Sequence, residues 1–344
     1  MANKRVTFAL IGCGNIATSL ADAIESIESA SLTACADIDQ DRARAVAKSY
    51  RLDRWYTDHE NMLREANPDV AIIATPNGTH GDIAVDCAKA GVNVLCQKPL
   101  EITVGALDRM IGACDEHGVK LGGLYNLRAQ VGSMATKHAV ESGILGDIVL
   151  ANGTVPLFRD ADYYQGWHGS ADLDGGTLFT HASHVIDRLA WLNNGIDRVF
   201  AEVNTVAHDI ETEDVAAVTV RYGNGARGTI TATTATRAYP HYDRIDLYGR
   251  AGYLTSTHEA IQSFATEARD ELTYAYPYDG YGFSVLLRDM AQAVVEDREP
   301  MIPGRQARHA PDAIQAMHAS AKRDEPVDVG SFLEEERGHP ESKP

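Results

Sequence analysis

Two short stretches of this chain carry side chains suited to acid/base chemistry. In Cys96-Gln97-Lys98-Pro99 a lysine ends an apolar run, Val92–Cys96, of the kind that forms a buried strand. A lysine buried there beside a second positive charge would have its pKa lowered towards the working range, which suits proton transfer. Pro99 fixes the backbone and allows a cis bond that aims the lysine. The second stretch follows Gly175-Gly176 and reads Thr177-Leu178-Phe179-Thr180-His181-Ala182-Ser183-His184-Val185-Ile186-Asp187-Arg188-Leu189. At helical spacing Thr180, His181 and His184 share one sector, while Leu178, Ala182, Val185 and Leu189 line the other. Such a polar stripe serves equally well as a solvated face, which Asp187 and Arg188 would continue. No carboxylate or cysteine stands at a ligand spacing from the two histidines, so no metal is expected.

Lys98 gains meaning from what precedes it. The run Val6–Ile11 ends in Gly12-Cys13-Gly14-Asn15-Ile16-Ala17, the order of a strand, a tight turn and a helix. Gly12 permits the turn, Gly14 lets a pyrophosphate approach the main chain, and Ala17 lets helix and strand pack closely. The helix N-terminus then offers N–H groups and a positive dipole end to phosphates. A second strand, Leu32–Ala36, ends in Asp37, where an acidic residue would hold the adenosine ribose. That carboxylate would repel a 2′-phosphate, and Ile38 rather than an arginine follows it, so NAD is expected over NADP. Asp39 suits the cap of the next helix and leaves Asp37 for the ribose.

The alternation continues through Arg42–Tyr50 (helix), Val70–Ala74 (strand, ending in Thr75-Pro76-Asn77-Gly78), a helix around Ile83–Ala90, and Val92–Cys96. A helix opened by Thr103 and a strand Val119–Tyr125 complete it. Apolar strands alternating with helices imply an α/β fold with a doubly wound parallel sheet, binding its ligand at the carboxyl ends of the strands. After a helix near Gln130–Ser142 the pattern changes. Strands Ile148–Val155, Val199–Ala207, Val215–Tyr222, Ala226–Thr236 and Arg244–Tyr248 alternate, with a hairpin signal in Tyr222-Gly223-Asn224-Gly225. A mainly antiparallel, open sheet with helices on one face is expected. Helices Ser284–Glu296 and Ala307–Lys322 follow. The expected division is a dinucleotide-binding domain over 1–125, a substrate and oligomerisation domain over 126–330, and a poorly ordered polar tail over 331–344.

Composition narrows the class. The 344 residues suit two domains, and 44% hydrophobic with 23% charged residues describes a globular protein. A net charge of −18 argues against nucleic acid, whose phosphates need a basic patch. No apolar run approaches the ~20 residues that span a bilayer, and no signal peptide is evident, so a cytoplasmic protein without a membrane partner is expected. Cys13, Cys35, Cys87, Cys96 and Cys114 fit neither a metal site nor a disulfide framework and read as buried thiols.

Taken together these residues resemble the Gfo/Idh/MocA oxidoreductases over nearly the whole length. The resemblance is carried by Ala9-Leu10-Ile11-Gly12-Cys13-Gly14-Asn15-Ile16-Ala17, Asp37, Thr75-Pro76-Asn77 with His80, and Gln97-Lys98-Pro99. It continues through Tyr163-Tyr164, Trp167, Gly175-Gly176, His184 and Asp187, and closes on Ala313, Ala321 and Glu325-Pro326-Val327. It implies a Rossmann domain, a second α/β domain whose open sheet forms homodimers or homotetramers, a nicotinamide cofactor, and a sugar, polyol or nucleotide-sugar substrate. It implies further that Lys98 and His184 are the acid/base pair at the oxidised hydroxyl. Gly12, Gly14, Asn15, Ile16, Asp37, Thr75, Pro76, Asn77, His80, Gln97, Lys98 and Asn126 would line the cofactor. Lys98, Arg128, Tyr163, Trp167, His168, Thr180, His181 and His184 would meet the substrate. Two departures stand out: Gln97 replaces the glutamate usual before the lysine, and Thr180 stands where inositol dehydrogenase-like members carry an aspartate. Thr180-His181-Ala182-Ser183-His184 is closer to members acting on the 3-hydroxyl of nucleotide-linked aminosugars. A nucleotide diphosphate would need local cations, for which Arg159, Arg237 and Arg244 are candidates. The alternatives are an NAD-dependent glycosidase working by transient oxidation and elimination, and a non-enzymatic NAD(H)-binding regulator.

Overall fold

The computed structural model describes residues 5–237, 243–267 and 272–338. The chain forms two compact units, one of residues 1–101, 106–126 and 279–308, the other of 102–105, 127–278 and 309–344.

The first unit begins with β1 (Val6–Ile11), α1 (Ala17–Glu25), β2 (Ala30–Ala36), α2 (Gln40–Tyr50), β3 (Trp55–Tyr56) and α3 (His59–Ala66). It continues with β4 (Val70–Ile73), α4 (His80–Lys89), β5 (Asn93–Cys96), α5 (Val104–His117) and β6 (Leu121–Gly123). Neighbouring strands are parallel in the order β3-β2-β1-β4-β5-β6, the doubly wound arrangement expected. The strands are apolar because both faces are covered: β4 is buried at every residue, and α1 buries Ala17, Leu20, Ala21 and Ile24 at helical spacing. Order reverses between β1 and β4, which makes the loops after these two strands the switch point where such sheets bind ligands.

The second unit contains α6 (Val131–Glu141), β7 (Ile148–Pro156), α7 (Ser183–Leu192), β8 (Ile196–Asn204), β9 (Val215–Tyr222) and β10 (Arg227–Thr233). Strands β11 (Arg244–Gly249), β12 (Gly252–Ser256) and β13 (Ile261–Thr266) follow. Helices α8 (Phe283–Glu296) and α9 (Gly304–Ala307) return to the first unit, where α8 packs on α1 and β1 and Gly123 donates its N–H to Ile302 O at 2.9 Å. The chain ends in α10 (His309–Arg323), β14 (Val327–Asp328) and α11 (Val329–Gly338), all in the second unit.

That unit holds an eight-stranded sheet in the order β13-β12-β11-β7-β10-β9-β8-β14. It is antiparallel except for the β7–β10 pair. The hairpin at Tyr222–Gly225 joins β9 to β10, as its sequence indicates, with Gly225 N–H on Tyr222 O at 2.9 Å. Helices α7 and α10 cover one face. A Cβ on Gly153 in β7 would sit 2.5 Å from Val185 Cγ1, so only glycine lets α7 lie this close to the sheet. The other face exposes Val149, Leu150, Tyr248 and Tyr253.

Three expectations need correction. Residues 279–308 belong to the first unit rather than to the second, because the apolar side of α8 is buried there. The stretch expected as a loose tail is helical through residue 338, with Phe332 buried, while 339–344 lie outside the described residues. β3, α3, β12, β13 and β14 were not foreseen.

Candidate functional site

The carboxyl edge of the parallel sheet gathers the residues expected to line a cofactor. Reading across the strands, Asp37 follows β2, Gly12 to Ile16 follow β1, and Thr75, Pro76 and Asn77 follow β4. Gln97 and Lys98 then follow β5, and Asn126 lies just beyond β6. Four strand spacings put this row at about 19 Å, the length scale of an extended dinucleotide.

Each position has a local cause. Gly12 has φ +98°, and a Cβ there would lie 2.4 Å from Ala74 O. The next strand's backbone therefore forbids any side chain at this point. Gly14, by contrast, faces open space, with nothing within 4 Å of a built Cβ. Asn15 is exposed, Ile16 is half-buried, and α1 opens on Ile16 without a side-chain cap. Asp39 caps α2 as expected, accepting from Asp41 N–H and Arg42 N–H. Asp37 is more engaged than expected. Its Oδ2 accepts the Cys13 N–H at 2.7 Å and its Oδ1 the Asp39 N–H at 2.8 Å, so it ties the glycine turn to the start of α2. A carboxylate has further lone pairs for ribose hydroxyls.

After β4, the Thr75 hydroxyl meets that of Thr79 at 2.7 Å, and Asn77 is buried. His80 departs from its expected place along the cofactor. It is wholly buried, with Nδ1 2.9 Å from Pro99 O and Nε2 2.9 Å from Thr75 O. The ring thus packs between the loop after β4 and the loop bearing Lys98; burial pushes its pKa down, and a neutral ring donates to one of the two carbonyls at a time. Lys98 is half-buried, and the Lys98–Pro99 bond is cis. Gln97 accepts the Lys98 N–H at 3.3 Å, while its Nε2 is buried with no hydrogen-bond partner among the described residues. The open space over Gly14 and this amide donor both fit a dinucleotide laid along the edge. All five cysteines are free and buried.

The second unit assembles a different set. Leu178–Ala182 forms a π-helical turn leading into α7, and it carries Thr180 and His181, with His184 on the first turn of α7. Tyr163 stacks on His168 at 4.1 Å between ring centres, and Trp167 lies tilted against the same imidazole at 3.8 Å. His181 lies 5.6 Å from Tyr163, and burial pushes the Tyr163 phenol up, so it stays protonated at neutral pH. Arg159 lies over Tyr163 at 4.8 Å and Arg237 over Phe158 at 3.5 Å. Both flank the Phe158–Ala235 bridge, whereas Arg244 pairs with Asp246 at 2.9 Å on its own strand.

Helix α7 is not a solvated stripe: every residue from Ser183 to Ala190 is buried. Asp187 takes two hydrogen bonds of 2.6 Å from Arg128, which is 3% exposed, and Arg188 pairs with buried Asp243. Arg128 is therefore a brace for α7 rather than an open substrate contact. Sequence reasoning missed Asp174, which is 3% exposed and binds the Thr180 hydroxyl. Its only signal was an acidic side chain directly before Gly175-Gly176. Among the described residues, one group of three could hold a metal, His59, Glu60 and Asp86, and it lies on α3 and α4 of the first unit.

Family models fit both halves of this arrangement. The oxidoreductase family with an NAD-binding Rossmann fold matches residues 6–124, and the GFO/IDH/MocA C-terminal domain matches 134–255. The chain belongs to the Gfo/Idh/MocA family. It is an NAD-binding oxidoreductase of that family. It is 28% identical to the myo-inositol 2-dehydrogenase of Thermotoga maritima over 254 residues, 71% of this chain and 72% of that one. It is 29% identical to the D-apiose dehydrogenase of Paraburkholderia graminis over 234 residues, 68% of this chain and 62% of the relative. Its fold matches the WlbA dehydrogenase of Bordetella pertussis, solved with NADH and UDP-GlcNAcA, with a TM-score of 0.88 and 27% identity. That match covers 94% of this chain and 99% of the other. No helix among the described residues is long and apolar enough to cross a membrane.

Proposed function

We propose that this protein oxidises, or in reverse forms, a secondary hydroxyl on a sugar, polyol or nucleotide sugar. The observation that carries this reading is the row of residues on the carboxyl edge of the parallel sheet, which runs from Asp37 to a half-buried lysine, Lys98. Bound NAD supplies a hydride acceptor. Gly12 to Ile16 hold the pyrophosphate through main-chain N–H groups, Asp37 binds ribose hydroxyls, and Gln97 offers its amide. Thr75, Pro76, Asn77 and Asn126 line the rest. His80 acts one step back, by holding the Lys98 loop.

Lys98 and His184 would relay the hydroxyl proton away from the substrate as the carbon gives up its hydride, and the Lys98 ammonium would stabilise the developing alkoxide. Tyr163, Trp167, His168, Thr180 and His181 form the sugar-facing group; a stacked aromatic set with hydroxyl and imidazole groups suits the apolar faces and hydroxyl edges of a sugar ring. Relatives named for myo-inositol and D-apiose, and a fold neighbour solved with UDP-GlcNAcA, support this substrate range. Arg159 and Arg237 are the cations for a diphosphate, should the substrate carry one. The exposed Val149, Leu150, Tyr248 and Tyr253 side chains support self-association through the open sheet face, as a homodimer or homotetramer.

The test is reduced-nicotinamide absorbance with NAD and NADP against inositols, free aldoses and nucleotide sugars, run on wild type and Lys98→Ala. Reduction of NAD with one substrate group, lost in the variant, is the expected result. Silence across the panel with NAD binding intact refutes net dehydrogenation. Cleavage of an aryl glycoside without net reduction would move the reading to the glycosidase.

A further inference from the structure

Asp174 is almost wholly buried, yet two of the groups it holds are half-buried side chains from the sugar-facing set. The Thr180 hydroxyl donates to Asp174 Oδ1, His168 Nδ1 lies 3.4 Å from the same oxygen, and the Gly169 N–H donates to Oδ2 at 3.1 Å. The chemistry of these groups fixes the direction of each bond. A carboxylate only accepts, so the Thr180 hydroxyl proton points at Asp174, and the His168 nitrogen facing Asp174 carries the ring proton. Towards any other group Thr180 Oγ1 then acts as an acceptor. With Nδ1 carrying the proton of the ring, Nε2 is the nitrogen left to accept.

We propose that Asp174 is a positioning residue that sets Thr180 and His168 as hydrogen-bond acceptors, so that the protein selects substrates presenting hydroxyl donors to them. The substrate part of this inference rests on the dehydrogenase reading above. An ether, a fluorine or a ketone facing either of them offers only acceptors and meets another. A hydroxyl there donates, and removing it strands an acceptor. A polyhydroxylated ring is the chemical class this polarity favours.

Asp174→Asn tests it, because the amide keeps the volume but puts an N–H₂ where an acceptor stood. On ¹⁵N-imidazole-labelled full-length protein, nitrogen NMR should find His168 as the Nδ1–H tautomer in wild type and shifted towards Nε2–H in the variant. With the substrate identified in the panel above, KM should rise about tenfold or more with little change in kcat, while the NADH dissociation constant stays put. A substrate analogue with fluorine at the recognised hydroxyl should bind wild type no better than the deoxy analogue. Thr180→Val should reproduce part of the KM change, Thr180→Ser should restore it, and Asp174→Asn should add little on top of Thr180→Val. If Asp174→Asn fails to fold, the Val and Ser pair at Thr180 carries the kinetic test. An unchanged His168 tautomer, an unchanged KM, or full additivity of the two substitutions overturns the proposal. A wild type inactive on every sugar and polyol overturns the dehydrogenase reading instead, and the tautomer measurement still decides the role of Asp174.

Discussion

Gly12 and Gly14 stand two residues apart in one turn, and the structure expects opposite outcomes from adding a methyl group to each. Gly12 has φ +98°, and its added Cβ would press on the Ala74 carbonyl, 2.4 Å from the oxygen and 2.6 Å from the carbon. The left-handed backbone alone costs an L-residue about 1–2 kcal/mol. Since the obstacle is main chain, the turn must also shift, and a total near 3 kcal/mol is expected for Gly12→Ala. For a unit of about 150 residues this lowers Tm by roughly 6–12 °C and disorders the loop, so NADH binding falls too. Gly14 has no such conflict: a Cβ there meets nothing within 4 Å. Gly14→Ala should leave the ligand-free protein within about 1 kcal/mol of wild type, or slightly stabilise it. If the pyrophosphate occupies that space, the methyl displaces it from the N–H donors, and losing about 1.5–3 kcal/mol weakens NADH by roughly 10- to 150-fold. Thermal unfolding without ligand, paired with calorimetric NADH titration, reads both quantities. A Gly14→Ala protein that binds NADH like wild type would refute the assignment of this space to the pyrophosphate. A Gly12→Ala protein with unchanged Tm would refute the steric argument.

Four further outcomes follow from the same geometry. Burial depresses the His80 pKa, so the unfolded chain binds a proton near pH 6.5 that the folded one refuses; stability should fall below that pH by up to about 1.4 kcal/mol per unit until the folded pKa is reached. Urea unfolding from pH 5 to 8 should show His80→Gln losing one proton's worth of that slope, and a pH-independent offset would contradict it. Asp37→Ser should weaken NAD about tenfold and narrow the preference over NADP, checked by the ratio of kcat/KM for the two cofactors. Arg128→Met leaves Asp187 buried without its fork and should cost about 3–5 kcal/mol by denaturant unfolding, with part recovered in Arg128→Met/Asp187→Leu. Val149→Asp with Tyr253→Asp should reduce the molar mass measured by light scattering, and unchanged mass would remove the open sheet face as the assembly surface.

The contrast between elements read and elements missed has a physical pattern. The strands of the first unit are buried on both faces, so each appears as an apolar run, and their punctuating glycines and prolines are local necessities. Strands β8 to β10 alternate because one face packs under helices, and the hairpin between two of them is spelled in four residues. The edge strand β13 and its neighbour β12 carry no such imprint, and β3 is two residues long. α3 was legible only in its Asp58 cap, which accepts from Asn61 N–H.

At the candidate site the division is sharper. The sequence by itself determined the glycine turn, the acidic residue after the second strand, the lysine after the fifth, and the order in which a parallel sheet would present them. Those features depend on local backbone demands and on the single handedness of strand–helix–strand crossovers. Tertiary structure alone decided what neighbouring polar residues are for. It turned His80 from a residue along the edge into a buried tie between two loops, and Arg128 from an open cation into the partner of a carboxylate 59 residues away. It also put Asp174 against Thr180 and His168. A buried polar group must find its hydrogen-bond partner wherever the fold supplies one, and sequence spacing carries no record of that choice.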